Sequence, residues 1–377
     1  MSFLYYLLSF LVIINFIVLS HELGHYLAAR RVGVKVITFS LGMGPELFGF
    51  DDKNGTRWCF SLLPIGGYVM MLGDADVSSA TESEESIKDL AEEEKKKSII
   101  YKNNWEKMWI SFAGPLANYI YSFVVLLAMG MFYGVPKHVP VIGEVLKDSP
   151  AAVAGLLPGD RVHSLDGNAI EKFRDLQVAI ANSDNENFIF EVERDGKRLL
   201  IGVKPKITET PRIICGTKKT KLVGLKSAEP VFEKLSPINS LKNALQECVS
   251  ATVEMTQMLS RLFSGKKSLD DFGGVVHMAS VAGNMCEDGN FAMLVMFTTM
   301  LSLNLGFINL FPLPVLDGGK IFLCFLEEIT GRKLNEKVME YVMLVCALLL
   351  ILLMLATTVN DVLKIESVSK FVSKMLE

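Results

Sequence analysis

The chain has 377 residues, half of them hydrophobic (50%), and a mean hydropathy of +0.34, high for a water-soluble protein. A formal net charge of -4 offers no basic excess for nucleic acid or an acidic ligand. Six cysteines without a Cys-x-x-Cys spacing give neither a disulfide framework nor a thiolate metal site.

In chain order, the first predicted element is an uncharged run over 1–20, where about 20 helical residues suffice to cross a bilayer. It has no basic start and runs straight into a charged motif, so it reads as a retained span rather than a cleaved leader. The motif is His21-Glu22-Leu23-Gly24-His25. On a helix His21 and His25 lie one turn apart on one face, where both imidazoles reach a single zinc ion. Glu22 stands beside them, able to draw a proton from water. A chance pattern with histidines bonded to carbonyls is the alternative. Ionisable groups at the end of an apolar span weigh against it, because they are costly there unless they serve a site.

Residues 34–41 are β-branched and apolar, Asp52-Lys53-Asn54-Gly55 is a turn signal, and 57–63 leads into Pro64-Ile65-Gly66-Gly67-Tyr68. This reads either as an ordinary hairpin or as an exposed strand edge beside the metal. In the second case Gly66 and Gly67 hold a substrate backbone extended. Residues 74–97 are rich in Ser, Glu and Lys and are assigned no chemistry. A second uncharged run, 109–135, carries Gly114-Pro115-Leu116-Ala117-Asn118. Its small residues suit close helix packing, and Asn118 either bonds a neighbouring helix or contacts substrate.

After Pro136 the composition becomes that of a soluble module. Strands are predicted at 141–145, 188–192 and 198–203, with a capped turn at 149–155, a hairpin at Asp166-Gly167 and a helix over 173–181. This order, with Pro158-Gly159-Asp160, resembles a PDZ domain of the bacterial protease type, core 141–205 within a 136–205 domain. Such a domain binds an extended peptide at a sheet edge. Residues 206–290 are expected to form a linker with one amphipathic helix, marked by Leu241, Leu245, Cys248, Thr252, Met255 and Leu259. His138, His163 and His277 read as structural.

The third run, 291–316, is interrupted by Pro312 and Pro314, which break regular helix. Irregular backbone at membrane depth has to be buried in protein or line a wet cavity. Asp317 follows, either capping a turn or supplying a third metal ligand. Basic residues choose between these. Arg30, Arg31 and Lys35 follow the first run, Lys95, Lys96, Lys97, Lys102 and Lys107 precede the second, and Lys320, Arg332, Lys333 and Lys337 precede a fourth run at 341–359. The positive-inside rule puts all three groups in the cytoplasm and the 136–290 segment outside. The first and third runs then both travel inward, which brings Asp317 to the depth of the histidines.

His21-Glu22-Leu23-Gly24-His25, Pro64-Ile65-Gly66-Gly67-Tyr68-Val69, Gly114-Pro115-x-x-Asn118 and Asn309-x-x-Pro312-x-Pro314-x-Leu316-Asp317-Gly318 together resemble the site-2 protease family of intramembrane zinc metalloproteases, most nearly its bacterial regulator-of-sigma-E branch. The match covers most of the chain. The resemblance implies that His21, His25 and Asp317 bind one zinc ion and that Glu22 activates water. It also implies that Asn309 contacts substrate near the scissile bond and that residues 55–72 form a membrane-associated β-element. Three features depart from the pattern. There is one PDZ domain rather than two, Met43 stands where an aromatic is expected, and Gly273-Gly274-Val275 replaces a Gly-Pro.

The expected fold is a polytopic α-helical membrane protein of four transmembrane helices with a small membrane-associated β-element and an inserted α+β PDZ domain. Its parts are 1–135, 136–205, 206–290 and 291–377. The expected function is cleavage within or beside the membrane span of single-span proteins, the anti-sigma factors, or of remnant signal peptides, in a bacterial inner membrane. The active site then faces the cytoplasm and the PDZ domain lies outside the cell membrane. Two other classes stay open. A PDZ-bearing binding protein with a retired site has no reason to keep both Glu22 and Asp317, and a transporter is expected to show repeated halves, which are not seen.

Overall fold

The computed structural model describes residues 3–74, 90–137, 139–183, 185–211, 217–264, 274–287, 289–332 and 335–363. Most of the charged 74–97 stretch, His138, Gly273 and Lys333 lie outside the described residues. Four helices are long and apolar enough to cross a membrane, over Tyr6–Arg31, Asn104–Tyr133, Phe291–Asn309 and Tyr341–Val362, which fits a polytopic membrane protein. By its contacts the chain divides into two compact units, Met1–Leu127 with Leu241–Glu377, and Ala128–Ser240.

The first unit opens with α1 (Phe3–Arg31), which runs straight through the histidine motif instead of stopping where the apolar run ends. Nothing in 21–31 breaks a helix, and termination waits for Gly33 in the left-handed region (φ 76°), with Val34 N–H returning to the Ala29 carbonyl at 2.8 Å. Next come β1 (Val36–Asp51) and β2 (Arg57–Met71), an antiparallel pair with irregular register. Asp52 closes the turn by accepting from the backbone N–H groups of Asn54 (2.7 Å) and Thr56 (3.0 Å), while Trp58 and Tyr26 donate to its other oxygen. Those bonds, the Thr56 N–H first, hold the Asp52 carboxyl well below the usual carboxylate range. The base of the hairpin packs Val36, Phe39, Val69 and Met71 onto Tyr26 and Ala29 of α1. Its remaining length exposes Met43, Leu47, Phe48, Leu62 and Leu63.

After a short α2 (Glu92–Lys95), α3 (Asn104–Ala128) contributes Ile110 and Ala113 to the same core and continues as a π-helical turn, Met129–Tyr133.

The second unit is an α+β module. It opens with an unpredicted β3 (Val135–Lys137); β4 (Ile142–Val145), α4 (Pro150–Ala154), β5 (Arg161–Leu165), β6 (Asn168–Ala169), α5 (Phe173–Asn182), β7 (Phe188–Arg194) and β8 (Lys197–Val203) then follow the predicted order. The central antiparallel sheet runs β6-β5-β7-β8. Alternate residues of its strands, Val162, Phe188, Phe190, Val192 and Val203, bury against Leu176 and Ile180 of α5.

The expected linker differs from what the structure shows. β9 (Lys206–Pro211) and β10 (Thr217–Leu222) pair with each other, β11 (Leu225–Ser227) pairs with β4, and β12 (Val231–Glu233) pairs with β3. Residues 206–240 therefore belong to this module and not to a connection. Without β11, the β4 edge would be left with unpaired backbone groups.

Asp160, 1% exposed, anchors the module: both its oxygens accept from Arg194 at 2.7 Å, and the Leu157 N–H donates at 2.9 Å. Burial alone would raise this carboxyl, but the Arg194 bonds more than reverse that and hold it below its ordinary value. Asp160→Ala should destabilise the module by about 2 kcal/mol, because it strands the Leu157 N–H and removes the carboxylate partner of Arg194, which keeps, among the described residues, only its bond to the Gly155 carbonyl. Faster amide exchange in residues 157–194 of the full chain checks it. With its folded pKa depressed, Asp160 supports the module above the unfolded carboxylate range, and that support fades as pH falls through the folded value.

The chain then returns to the first unit through α6 (Pro237–Phe263), longer than its predicted stripe because Pro237 sits in the first turn, where its missing N–H costs nothing. Tyr119 of α3 and Thr252 share a hydroxyl hydrogen bond of 3.0 Å. An unforeseen α7 (Val275–Glu287) lays Ala279 and Ala282 against Phe10, Ile13 and Ile17 of α1. Helix α8 (Phe291–Asn309) ends just before Pro312 and Pro314, the break in regular helix expected within the 291–316 run. After the non-helical stretch 310–316, α9 (Asp317–Thr330) begins at Asp317 itself, and α10 (Glu336–Leu363) closes the described chain.

Candidate active site and metal centre

One turn of α1 and the first residue of α9 meet. The His21 and His25 rings stand edge to face with centroids 4.8 Å apart, the arrangement expected of positions four residues apart on a helix. Asp317 arrives by a sharp reversal after α8. A Cβ on Gly318 would lie 2.2 Å from the Leu310 carbonyl oxygen and one on Gly319 2.1 Å from that of Leu313, so only glycine lets the chain fold back so closely. Because Asp317 opens α9, its carboxylate also sits at the positive end of that helix dipole.

The separations are 3.2 Å between the two Nε2 atoms, 3.1 Å from His21 Nε2 to Asp317 Oδ2 and 3.4 Å from His25 Nε2 to the same oxygen. Bonds of about 2.0–2.2 Å in a tetrahedral zinc centre separate ligand atoms by roughly 3.3–3.6 Å. The triangle fits. Among the described residues it is the one cluster of His, Cys, Asp or Glu side chains suited to a metal ion.

The chemistry of the donors points the same way. His25 Nδ1 lies 2.8 Å from the Ile110 carbonyl, which can only accept, so Nδ1 carries the proton and Nε2 presents its lone pair. Lone pairs and a carboxylate oxygen converging on one point repel unless a cation or a proton lies between them. Room is made by Gly114 of α3, where a Cβ would stand 2.2 Å from His25 Nε2 and 2.9 Å from His21 Cε1.

Glu22 is part-buried and is not one of the three converging groups. Gly67 of β2 packs beside it: a Cβ there would approach Ser40 O to 2.8 Å, Val18 Cγ1 to 2.9 Å and Glu22 Cγ to 3.2 Å. The strand edge and the acid therefore share one location. Gly66 turns the strand with φ 81°, and a Cβ there would stand 3.1 Å from Met43 Cε. Asn309, the last residue of α8, has its amide nitrogen 3.4 Å from His21 Nε2. Asn118 is fully buried, with its amide nitrogen 3.4 Å from His21 Nδ1.

Sequence reasoning missed three features. The Ile110 carbonyl carries no residue-type signal at all. Gly114 reads as one more small residue in an apolar helix. Asn15, a lone amide in the first apolar run, donates to the Pro64 carbonyl of β2 at 2.9 Å and ties the strand to α1; its polarity in such a run was the available clue.

A model of peptidase family M50 matches residues 9–353. A protein of Mesorhizobium japonicum named as a candidate zinc metalloprotease is 34% identical over 338 residues, 89% of this chain and 92% of its own length. Another of that description, from Rickettsia conorii, is 31% identical over 360 residues, covering 94% and 98%. Metalloprotease MmpA of Caulobacter vibrioides is 31% identical over 357 residues, covering 89% and 90%. With a family model across nearly the whole chain, and relatives matched almost end to end, the chain belongs to peptidase family M50, the site-2 proteases, and is a membrane zinc metalloprotease with zinc as its cofactor.

Proposed function

We propose that the chain is an intramembrane endopeptidase in which His21, His25 and Asp317 hold one zinc ion per chain and Glu22 moves the protons. The observation that carries this is the 3.1–3.4 Å triangle formed by two imidazole nitrogens and a carboxylate oxygen. Its members come from within one candidate span and from just beyond another, which supports chemistry at the membrane. Zinc, when bound there, supplies Lewis acidity toward water and toward the scissile carbonyl. A Glu22 carboxylate oxygen accepts the proton of the attacking water as its oxygen bonds to the carbonyl carbon. The same proton passes to the leaving nitrogen as the C–N bond breaks. Asn309, at the rim, orients the substrate carbonyl. The edge of β2 at Gly66 and Gly67 keeps the peptide extended, since a bond inside a helix is not open to attack.

Single-span membrane proteins of the anti-sigma class and remnant signal peptides are the proposed substrates, reached from the surrounding lipid. The exposed Met43, Leu47, Phe48, Leu62 and Leu63 support contact of the hairpin with the bilayer. The basic residues beside the spans support an inner-membrane orientation with the active site toward the cytoplasm. The order of β4, α4, β5, β6, α5, β7 and β8 supports a single extracytoplasmic PDZ domain that takes a peptide ligand.

The test measures zinc per purified chain together with cleavage of a single-span model substrate. Asp317→Ala should weaken zinc binding by at least the roughly 10–100-fold that loss of an outer-sphere partner costs, and chelation should stop cleavage by the wild type. An Asp317→Ala protein with full zinc and full activity would remove Asp317 from the site.

A further inference from the structure

Among the described residues, Asn118 is the one contacting His21 that has a buried side-chain polar atom without a hydrogen-bond partner. Asn118 is 0% exposed, and its backbone carbonyl accepts from Ser122 Oγ at 2.8 Å and from Ser302 Oγ of α8 at 3.1 Å, which locks the residue where α3 meets α8. Its side-chain nitrogen lies 3.4 Å from His21 Nδ1, while its Oδ1 is buried with no partner. An amide oxygen and nitrogen exchange places by a half-turn about the terminal torsion, and only their partners decide between the two settings.

The partner here is decided by the other end of the ring. Taking the proposed ligand set as given, His21 Nε2 offers its lone pair to zinc, so Nδ1 carries the hydrogen. A second donor facing that N–H leaves both unsatisfied, whereas an oxygen satisfies both. We propose that Asn118 is a positioning residue whose Oδ1 accepts the Nδ1–H of His21, selecting the tautomer and ring orientation that present Nε2 to the metal. This half-turn also resolves the orphaned oxygen. It gives His21 the kind of outer-sphere acceptor that the Ile110 carbonyl gives His25. Both acceptors then belong to α3, two turns apart, so one helix sets both imidazoles.

The experiment measures the zinc dissociation constant of the full-length protein in detergent by competition with a chromophoric chelator. Asn118→Leu, close in size but without an acceptor, should weaken zinc binding roughly 10–100-fold, and Asn118→Asp, which keeps an acceptor, should restore it to within a few-fold of wild type. The unfolding temperature of the zinc-free proteins should be alike, and Asn118→Ala replaces the leucine variant if that one does not fold. Wild-type affinity in Asn118→Leu overturns the assignment. Equal weakening in Asn118→Leu and Asn118→Asp also overturns it, because packing alone would then be at issue. His21→Ala keeps the two readings apart. If it loses zinc while Asn118→Leu does not, the ligand set stands and this inference falls; if it keeps zinc, the ligand set itself falls.

Discussion

Glu22→Gln is expected to lower cleavage of a single-span substrate by roughly a thousandfold while leaving bound zinc unchanged, about 4 kcal/mol of transition-state stabilisation. Glutamine keeps the size and polarity of the side chain but cannot take up a proton near neutral pH. Its substitution therefore removes proton transfer and little else. Zinc should stay because the three converging atoms belong to His21, His25 and Asp317. Packing should survive too, since the Glu22 stem that faces Gly67 is the same in both residues. Single-turnover cleavage beside a zinc determination on the same sample separates the cases. Cleavage within tenfold of wild type would assign the proton to another group, and loss of zinc would make Glu22 part of the metal's support.

Gly114→Ala should lower activity by about a hundredfold or more and reduce zinc affinity with it. Two opposing terms decide the sign. Alanine favours a helix interior over glycine by about 0.5–1 kcal/mol, so local propensity predicts a more stable α3. The new Cβ, however, would stand 2.2 Å from His25 Nε2, and a forced fit costs typically about 1–3 kcal/mol. The ring cannot swing aside freely, because its Nδ1 is bonded to Ile110 of the same helix. Either that bond breaks or the imidazole leaves the triangle. A zinc-free Gly114→Ala protein that unfolds at or above the wild-type temperature while binding metal poorly would carry the signature of a site defect. Normal zinc affinity would mean that α1 and α3 separate easily at this point.

Different parts of the molecule were readable from sequence to different depths. The His21 and His25 pairing is legible because four-residue spacing is a property of the helix itself. The turn at Asp52 is legible for a similar reason, since its bonds reach only to Asn54 and Thr56. Asp317 needed more: its approach to the histidines came from counting spans and basic flanks, and its role from family resemblance. Where the chain relies on distant pairing the signal vanishes. β11 and β12 have three residues each, too few for a period, and their partners β4 and β3 lie far back in the sequence. The α7 helix was missed because its small residues, Ala279 and Ala282, look unremarkable until α1 is placed against them.

A centre assembled from residues 21–25 and residue 317 has a consequence for biogenesis. Roughly three hundred residues separate the two contributions, and at about 5–20 residues per second a ribosome takes roughly 15–60 s to deliver the second after the first. Throughout that interval the growing polypeptide has a histidine pair but no carboxylate to complete it. On the proposed ligand set, nascent and truncated chains lack a complete metal site, and hydrolytic competence arrives only with a finished product.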